Sequence, residues 1–179
     1  FALFLLGLPV EAKLLKPSQD GEKKEILIIN GKRRLYYTVE TEGLYYSVDG
    51  PTRLEFISRY PVLKKKNKSN PFSYQIIVDD QDTIIVNHKY KVQKSIKSVQ
   101  HPKHKYTYSG NYFINLSSGK HKVVIYPDKK LKYPVLMRVL SKEFGSVTKE
   151  KKILQPMIHQ NSLKLQVGSD LVSYFECTS

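Results

Sequence analysis

His101 and His104 stand three residues apart, and His121 follows in a strand-forming stretch. A fold that brought the three imidazoles together could hold zinc and leave a fourth position open for chemistry. Lys97, Lys103 and Lys105 surround the pair with charge that repels a cation, and no acidic second shell is visible to orient the rings. The reading is therefore no metal and no cofactor. His88 sits on the apolar side of an alternating run and reads as a hydrogen-bonded core histidine. Asp79, Asp80 and Asp82 offer oxygen ligands, but so short a turn cannot supply the six or more that calcium takes, so a plain hairpin turn is expected. Paired carboxylates for glycoside hydrolysis would have to come from Glu40, Glu42, Glu55 or that acidic turn, and their spacing singles out no pair. The sequence has no Gly-x-Ser-x-Gly elbow, no phosphate-binding glycine loop and no His-Glu-x-x-His helix. No catalytic residue is assigned, and the expected role is not enzymatic.

What remains for chemistry is aromatic and basic. Tyr36, Tyr37, Tyr45, Tyr46, Tyr106, Tyr108 and Tyr112 could form a platform for sugar rings or bases beside lysines. Side chains alternate along a strand, so at most half of them can line one surface, and tryptophan is absent. The residues selected as ligand-binding are Tyr106, Tyr108, Tyr112, Lys103, Lys105 and Arg59. A net charge of +14 favours an anionic partner. The excess is uneven: no carboxylate occurs between Phe56 and Val78, and Asp128 alone interrupts the stretch from Thr83 to Lys132. Glycan or another anionic polymer is the expected partner. Lysine also solvates exposed strand faces and blunts sheet edges, which is its commoner role, and arginine, the better bidentate phosphate ligand, is scarce.

These residues need strands to position them. With 13 tyrosines and frequent Ile, Val and Thr, the chain favours β-structure. Glu25 to Asn30 ends in Asn30-Gly31, both tolerant of positive φ, and Arg34 to Val39 follows, so a hairpin is predicted. Leu44–Val48 and Arg53–Arg59 read as two strands about a turn at Asp49-Gly50-Pro51. Residues 60 to 72 hold Pro61, four lysines and Asn70-Pro71, and read as a solvated loop. Tyr74–Val78 and Thr83–Val92 flank the acidic turn, and Tyr112–Leu116 and His121–Tyr126 read as a hairpin about Ser117-Ser118-Gly119-Lys120. Pro134–Leu140 adds another strand. The predicted fold is all-β, an antiparallel β-sandwich of jelly-roll-like layout.

Residues 1 to 12 combine an apolar run with small residues at the spacing of a cleavage site, and read as a signal-peptide remnant. The run is too short to span a bilayer. Residues 13 to 143 are assigned to the sandwich. Residues 144 to 179 hold further strands that either close it or start a second copy, and they carry the single cysteine, Cys177, with no intrachain disulfide partner. Partner subunits of an envelope assembly are the alternative to a glycan ligand.

Val48-Asp-Gly-Pro51, Leu54-x-Phe56, Ser58-Arg59, Tyr74-x-Ile76-x-Val78, Leu116-Ser-Ser-Gly-Lys-His121-x-Val123 and Val135-Leu-Met-Arg138 form a pattern over about residues 33 to 140. It resembles exported bacterial β-sandwich domains of unassigned function, similar in layout to galactose-binding-like jelly rolls and carbohydrate-binding modules. The resemblance implies a periplasmic, outer-envelope or secreted location and a binding or scaffolding role. It transfers no ligand residue, because the tryptophans and the calcium cluster of those modules have no counterpart here. Arg59 and Arg138, each after an apolar run, read as equivalent positions in two strands held by structural salt bridges.

Overall fold

The computed structural model describes residues 12–18, 23–63 and 69–143. The chain divides into two compact units, Phe1–Phe144 and Gly145–Ser179, and all described residues belong to the first. The leader-like segment up to Glu11, the lysine run 64–68, residues 144–179 and Cys177 lie outside them.

The described residues form twelve strands and no helix. They are β1 (Lys13–Leu14), β2 (Lys24–Ile29), β3 (Lys32–Val39), β4 (Leu44–Arg59), β5 (Pro61–Val62), β6 (Asn70–Val78), β7 (Asp82–Tyr90), β8 (Val92–Gln93), β9 (Lys97–Ser98), β10 (Lys105–Thr107), β11 (Gly110–Pro127) and β12 (Val135–Glu143). All pairings are antiparallel. One large curled sheet runs β7-β6-β11-β4-β12-β3-β2-β9, with β1 beside β12, and a small sheet runs β5-β10-β8. This is the predicted all-β antiparallel sandwich.

Two hairpins form where turn residues demanded them. Asn30 and Gly31 take φ of 50° and 75° between Ile29 and its partner Lys32, the conformation that closes a two-residue turn. Asp79 and Asp80, at φ of 53° and 57°, turn the chain between Val78 and Asp82. The Lys122 ammonium lies 3.0 Å from both Asp80 carboxylate oxygens, and the Lys122 amide donates to Asp79 Oδ1 at 2.8 Å. These carboxylates brace the turn against the Lys122 side chain and amide.

Two other turn-like tracts do not reverse the chain. Asp49-Gly50-Pro51 lies inside the continuous strand β4, and Ser117-Ser118-Gly119-Lys120 lies inside the continuous strand β11. The reason is that they face each other: Gly50 is registered with Gly119, and Thr52 with Leu116. Three steps on β11 match two on β4, a bulge that bends the pair. A Cβ on Gly50 would overlap the Ser117 carbonyl, so only glycine permits this approach. The bend divides the sheet into two wings. Beyond it the second half of β11 pairs with β6, and the second half of β4 pairs with β12. The expected solvated loop at 60 to 72 is corrected at both ends. Pro61 and Val62 are a buried strand against β10, and Asn70-Pro71 begins β6, where Pro71 sits opposite Lys89.

Apolar side chains from both wings meet in the main core, where Tyr37, Val39, Val135 and Met137 join Phe72, Tyr74, Ile76 and Ile125. Tyr36, Leu136 and Ile57, one position along, face the other way. There Tyr36 and Leu136 form a second core with Leu27, Ile96 and Tyr106, and Ile57 packs against it. The second core lies under the small sheet, so this wing is covered on both faces near β10. Beyond the small sheet the same face is open.

Candidate functional site

The six residues selected from sequence do not form one surface. Tyr106 is fully buried in the second core. Arg59 is 5 % exposed and serves as a strut: Nε donates to the Tyr36 hydroxyl at 3.2 Å, and Nη1 donates to Gln93 Oε1 at 2.9 Å and to the Thr107 carbonyl at 2.7 Å. Tyr112 is half-buried and packs on the main core, across the sheet from Asn111. Lys103, Lys105 and Tyr108 are exposed around β10. Of the tyrosines considered for an aromatic platform, Tyr36, Tyr37, Tyr46 and Tyr106 are core residues. Neither arginine forms the expected salt bridge: among the described residues Arg59 and Arg138 have no carboxylate partner, and Arg138 Nη1 donates to the Leu35 carbonyl at 3.4 Å.

The zinc triad does not assemble. His121 Nδ1 lies 2.8 Å from Oδ2 of Asp79, on the turn that closes β6 to β7, and its Nε2 lies 3.0 Å from the Ser117 carbonyl of its own strand. His101 and His104 stack on each other at 4.6 Å beside Glu25 of β2, a carboxylate 76 positions from His101 in sequence. His88 packs against Phe72, Tyr74 and Tyr90, half-buried, with Nε2 3.4 Å from the Tyr74 hydroxyl. Burial lowers its pKa, so the imidazole is neutral at pH 7.

The open part of the outer face forms a groove of about 490 Å³ across β2, β3, β12, β4 and β11. Lys32 and Arg34 come from β3, Arg138 from β12, and Arg59 closes one end. These strands are neighbours, and the residues share a face by alternation, which is why side chains over a hundred positions apart converge. The β12–β3 ladder ends at Met137 and Tyr37, so Arg138 stands just past the last paired residue and reaches back to the Leu35 carbonyl. Burial, then the neighbouring charge of Arg34, depress the pKa of the Arg138 guanidinium. Ile29, Ile57 and Leu140 give the groove apolar surface, and Asn111 offers an amide. Its carboxylate, Glu55, is 2.5 Å from Lys142 Nζ and accepts a hydrogen bond from Asn111 Nδ2 at 3.2 Å. The Lys142 ammonium and the Arg53 guanidinium both lie over the exposed ring of Phe113, the latter at 4.4 Å. The site is thus an arginine-rich, partly apolar trough with its acidic group already paired.

A second depression of about 650 Å³ lies over β6 and β7, beside the connection from β11 to β12. Its cations are Lys89, Lys130 and Lys132, all exposed, and its carboxylate, Asp128, is held by Ser73 Oγ at 2.6 Å and the Lys130 amide at 2.9 Å. It lacks arginine.

The sequence reading missed Arg34 and Glu25. Arg34 gave a usable signal, an arginine at the polar position of an alternating strand that faces a second arginine-bearing strand. Glu25 gave none, because its partners come from a distant loop.

No family model and no curated protein matches this chain. Among solved structures it is similar to an exo-β-1,3-galactanase from Phanerochaete chrysosporium with galactose. That likeness has TM-score 0.36 and 11 % identity over 73 % of this chain and 26 % of that one. It is also similar to a family GH115 4-O-methyl-α-glucuronidase specific for decorated arabinogalactans, with TM-score 0.37 and 12 % identity over 69 % of this chain and 16 % of that one. The chain spans about a quarter or less of the length of these two structures.

Proposed function

We propose that this protein is a non-catalytic binding module, working in the cell envelope or outside it, that takes an acidic glycan in the groove between β2 and β11. The carrying observation is the meeting of Arg34 and Arg138 with Lys32 around an apolar floor, with the buried strut Arg59 closing one end. Arginine presents a planar fork that matches a carboxylate or sulfate with two parallel hydrogen bonds. Arg34 and Arg138 crowd each other, and an anion between them would relieve that repulsion. Ile57 and Leu140 suit the C–H face of a sugar ring, and the groove falls within the roughly 300–1,000 Å³ range of small-ligand sites. Hydrolysis by the usual route uses two carboxylates flanking one bond, whereas Glu55 stands by itself among the groove-lining residues. The external location rests on the apolar segment Phe1–Val10.

The test is calorimetric titration with uronic-acid oligosaccharides and with their neutral counterparts, each at low and high salt. Acidic sugars are expected to bind and neutral ones to fail. Arg34→Ala and Arg138→Gln should each weaken binding about tenfold or more, the value of a charge-assisted hydrogen bond. Equal affinity for neutral sugars, or affinity unchanged in both variants, overturns the assignment. Binding to every polyanion that vanishes with salt does the same, because it reduces the groove to unspecific charge.

A further inference from the structure

At the start of β2 a carboxylate and two imidazoles gather where no site is assigned. Glu25, Leu27 and Ile29 alternate onto one face, so this cluster and the groove at Ile29 lie at opposite ends of β2, roughly 13 Å apart along the strand. Glu25 is buried, with the ligand atoms of Glu25, His101 and His104 all within 4.8 Å of one another. Its Oε1 accepts hydrogen bonds from the Tyr106 hydroxyl and from Ser98 Oγ at 2.6 Å, and lies 3.2 Å from His101 Nδ1. Among the described residues Oε2 accepts none, and no lysine or arginine pairs with Glu25. A buried carboxylate without a fixed cation is costly unless a positive partner joins it, and a metal ion is one such partner.

The histidine loop is held to the strand that carries Glu25. The Val99 amide donates to the Ile26 carbonyl at 3.0 Å, and the Ile26 amide donates to Gln100 Oε1 at 2.9 Å. The His101 amide donates to Ser98 Oγ at 2.8 Å, and a turn from His104 N to the His101 carbonyl at 3.0 Å puts both rings on one side. Tyr106 and Ser98 in turn fix the carboxylate, the supporting role that outer groups play at metal sites.

We propose that Glu25, His101 and His104 form a binding site for a divalent transition metal of the zinc class. Two imidazoles and a carboxylate are the ligand types of such ions, at about 2.0–2.2 Å from the metal. Tetrahedral ligation places ligand atoms roughly 3.4 Å apart, so separations of at most 4.8 Å close by up to about 1.4 Å, while the His101–Glu25 pair at 3.2 Å is already near that spacing. The imidazoles are stacked within 9° of parallel, and rotation about the Cβ–Cγ bonds of these two accessible side chains turns their lone pairs toward the carboxylate. The fourth position faces solvent beside His101, whose side chain is 53 % exposed.

The test is titration of the untagged, metal-stripped full chain with Zn²⁺ by calorimetry, and with Co²⁺ by visible absorption, which reads tetrahedral nitrogen and oxygen ligation. One ion per chain and a cobalt d–d band are expected. His104→Ala and His101→Ala, both at accessible positions, should each weaken binding about tenfold or more, and His121→Ala should leave it unchanged. Glu25→Gln, checked for an intact fold by circular dichroism, should weaken it comparably. The site is refuted by the absence of stoichiometric binding, or by binding that survives both His101→Ala and His104→Ala.

Discussion

Replacing Arg59 by methionine tests whether this residue is a strut between two sheets or a ligand group free to move. The guanidinium ties β4 to β3 through Tyr36, to β8 through Gln93 and to β10 through Thr107. Methionine keeps most of the stem's packing and removes the charge. Each hydrogen bond from a charged donor is worth about 1.5–3 kcal/mol, and a buried polar group left unpaired costs about 1–3 kcal/mol. The Thr107 carbonyl and the Tyr36 hydroxyl are both buried, so both terms apply. Removing a buried charge that lacks a carboxylate partner recovers part of its desolvation penalty and offsets part of that loss. The net expectation is about 2–4 kcal/mol of lost stability, or a Tm lower by roughly 10 °C for a chain of this size. Urea unfolding followed by tyrosine fluorescence, with far-ultraviolet circular dichroism as the second probe, measures it. Arg59→Lys should rescue less than half the loss, because one ammonium cannot reach acceptors on three strands. A loss below about 0.5 kcal/mol, the range of an ordinary surface substitution, would refute the strut and return Arg59 to the ligand set.

Gly50→Ala should destabilise by about 3 kcal/mol, since the new Cβ meets the Ser117 carbonyl at the bulge and neither backbone can yield cheaply; a Tm within 2 °C of the parent, roughly the error of the comparison, would discard this account of the bend. Gly110→Ala should cost about 1–3 kcal/mol, because its Cβ would stand 2.5 Å from the His88 ring, and the double change with His88→Ala should recover most of it. The hydrogen bond with His121 first, then that from the Lys122 amide, hold Asp79 below the usual carboxylate range, while Asp79 raises His121. Asp79's contribution is present above its unfolded pKa of 3.8 and fades as pH falls through the lower folded value. That of His121 is full below its unfolded pKa of 6.5 and fades as pH rises through the higher folded value. The stability lost in His121→Ala should therefore be largest between those two unfolded values. An NMR titration placing His121 below 6.5 would contradict the pairing.

The sequence by itself determined what short-range physics controls. The strand bias, the Asn30-Gly31 and Asp79-Asp80 reversals and the opposite facing of Tyr36 and Tyr37 all follow from preferences acting over a few residues. Turn chemistry failed where two turn-like tracts met. Asp49-Gly50-Pro51 and Ser117-Ser118-Gly119 each permit a reversal, but set opposite each other in one ladder they accommodate a bulge, and β4 and β11 continue through it. Pairing across some seventy positions decides that, and no local window contains it. The same holds for both sites. Arg34, Arg59 and Arg138 share a groove because β12 inserts between β4 and β3, and Glu25 meets His101 and His104 because β9 docks on β2. Which side chains are exposed was likewise a tertiary outcome: Tyr106 and Arg59 look like ligand residues in sequence, and the packing of the small sheet, which carries Tyr106, against the large one, which carries Arg59, buries both.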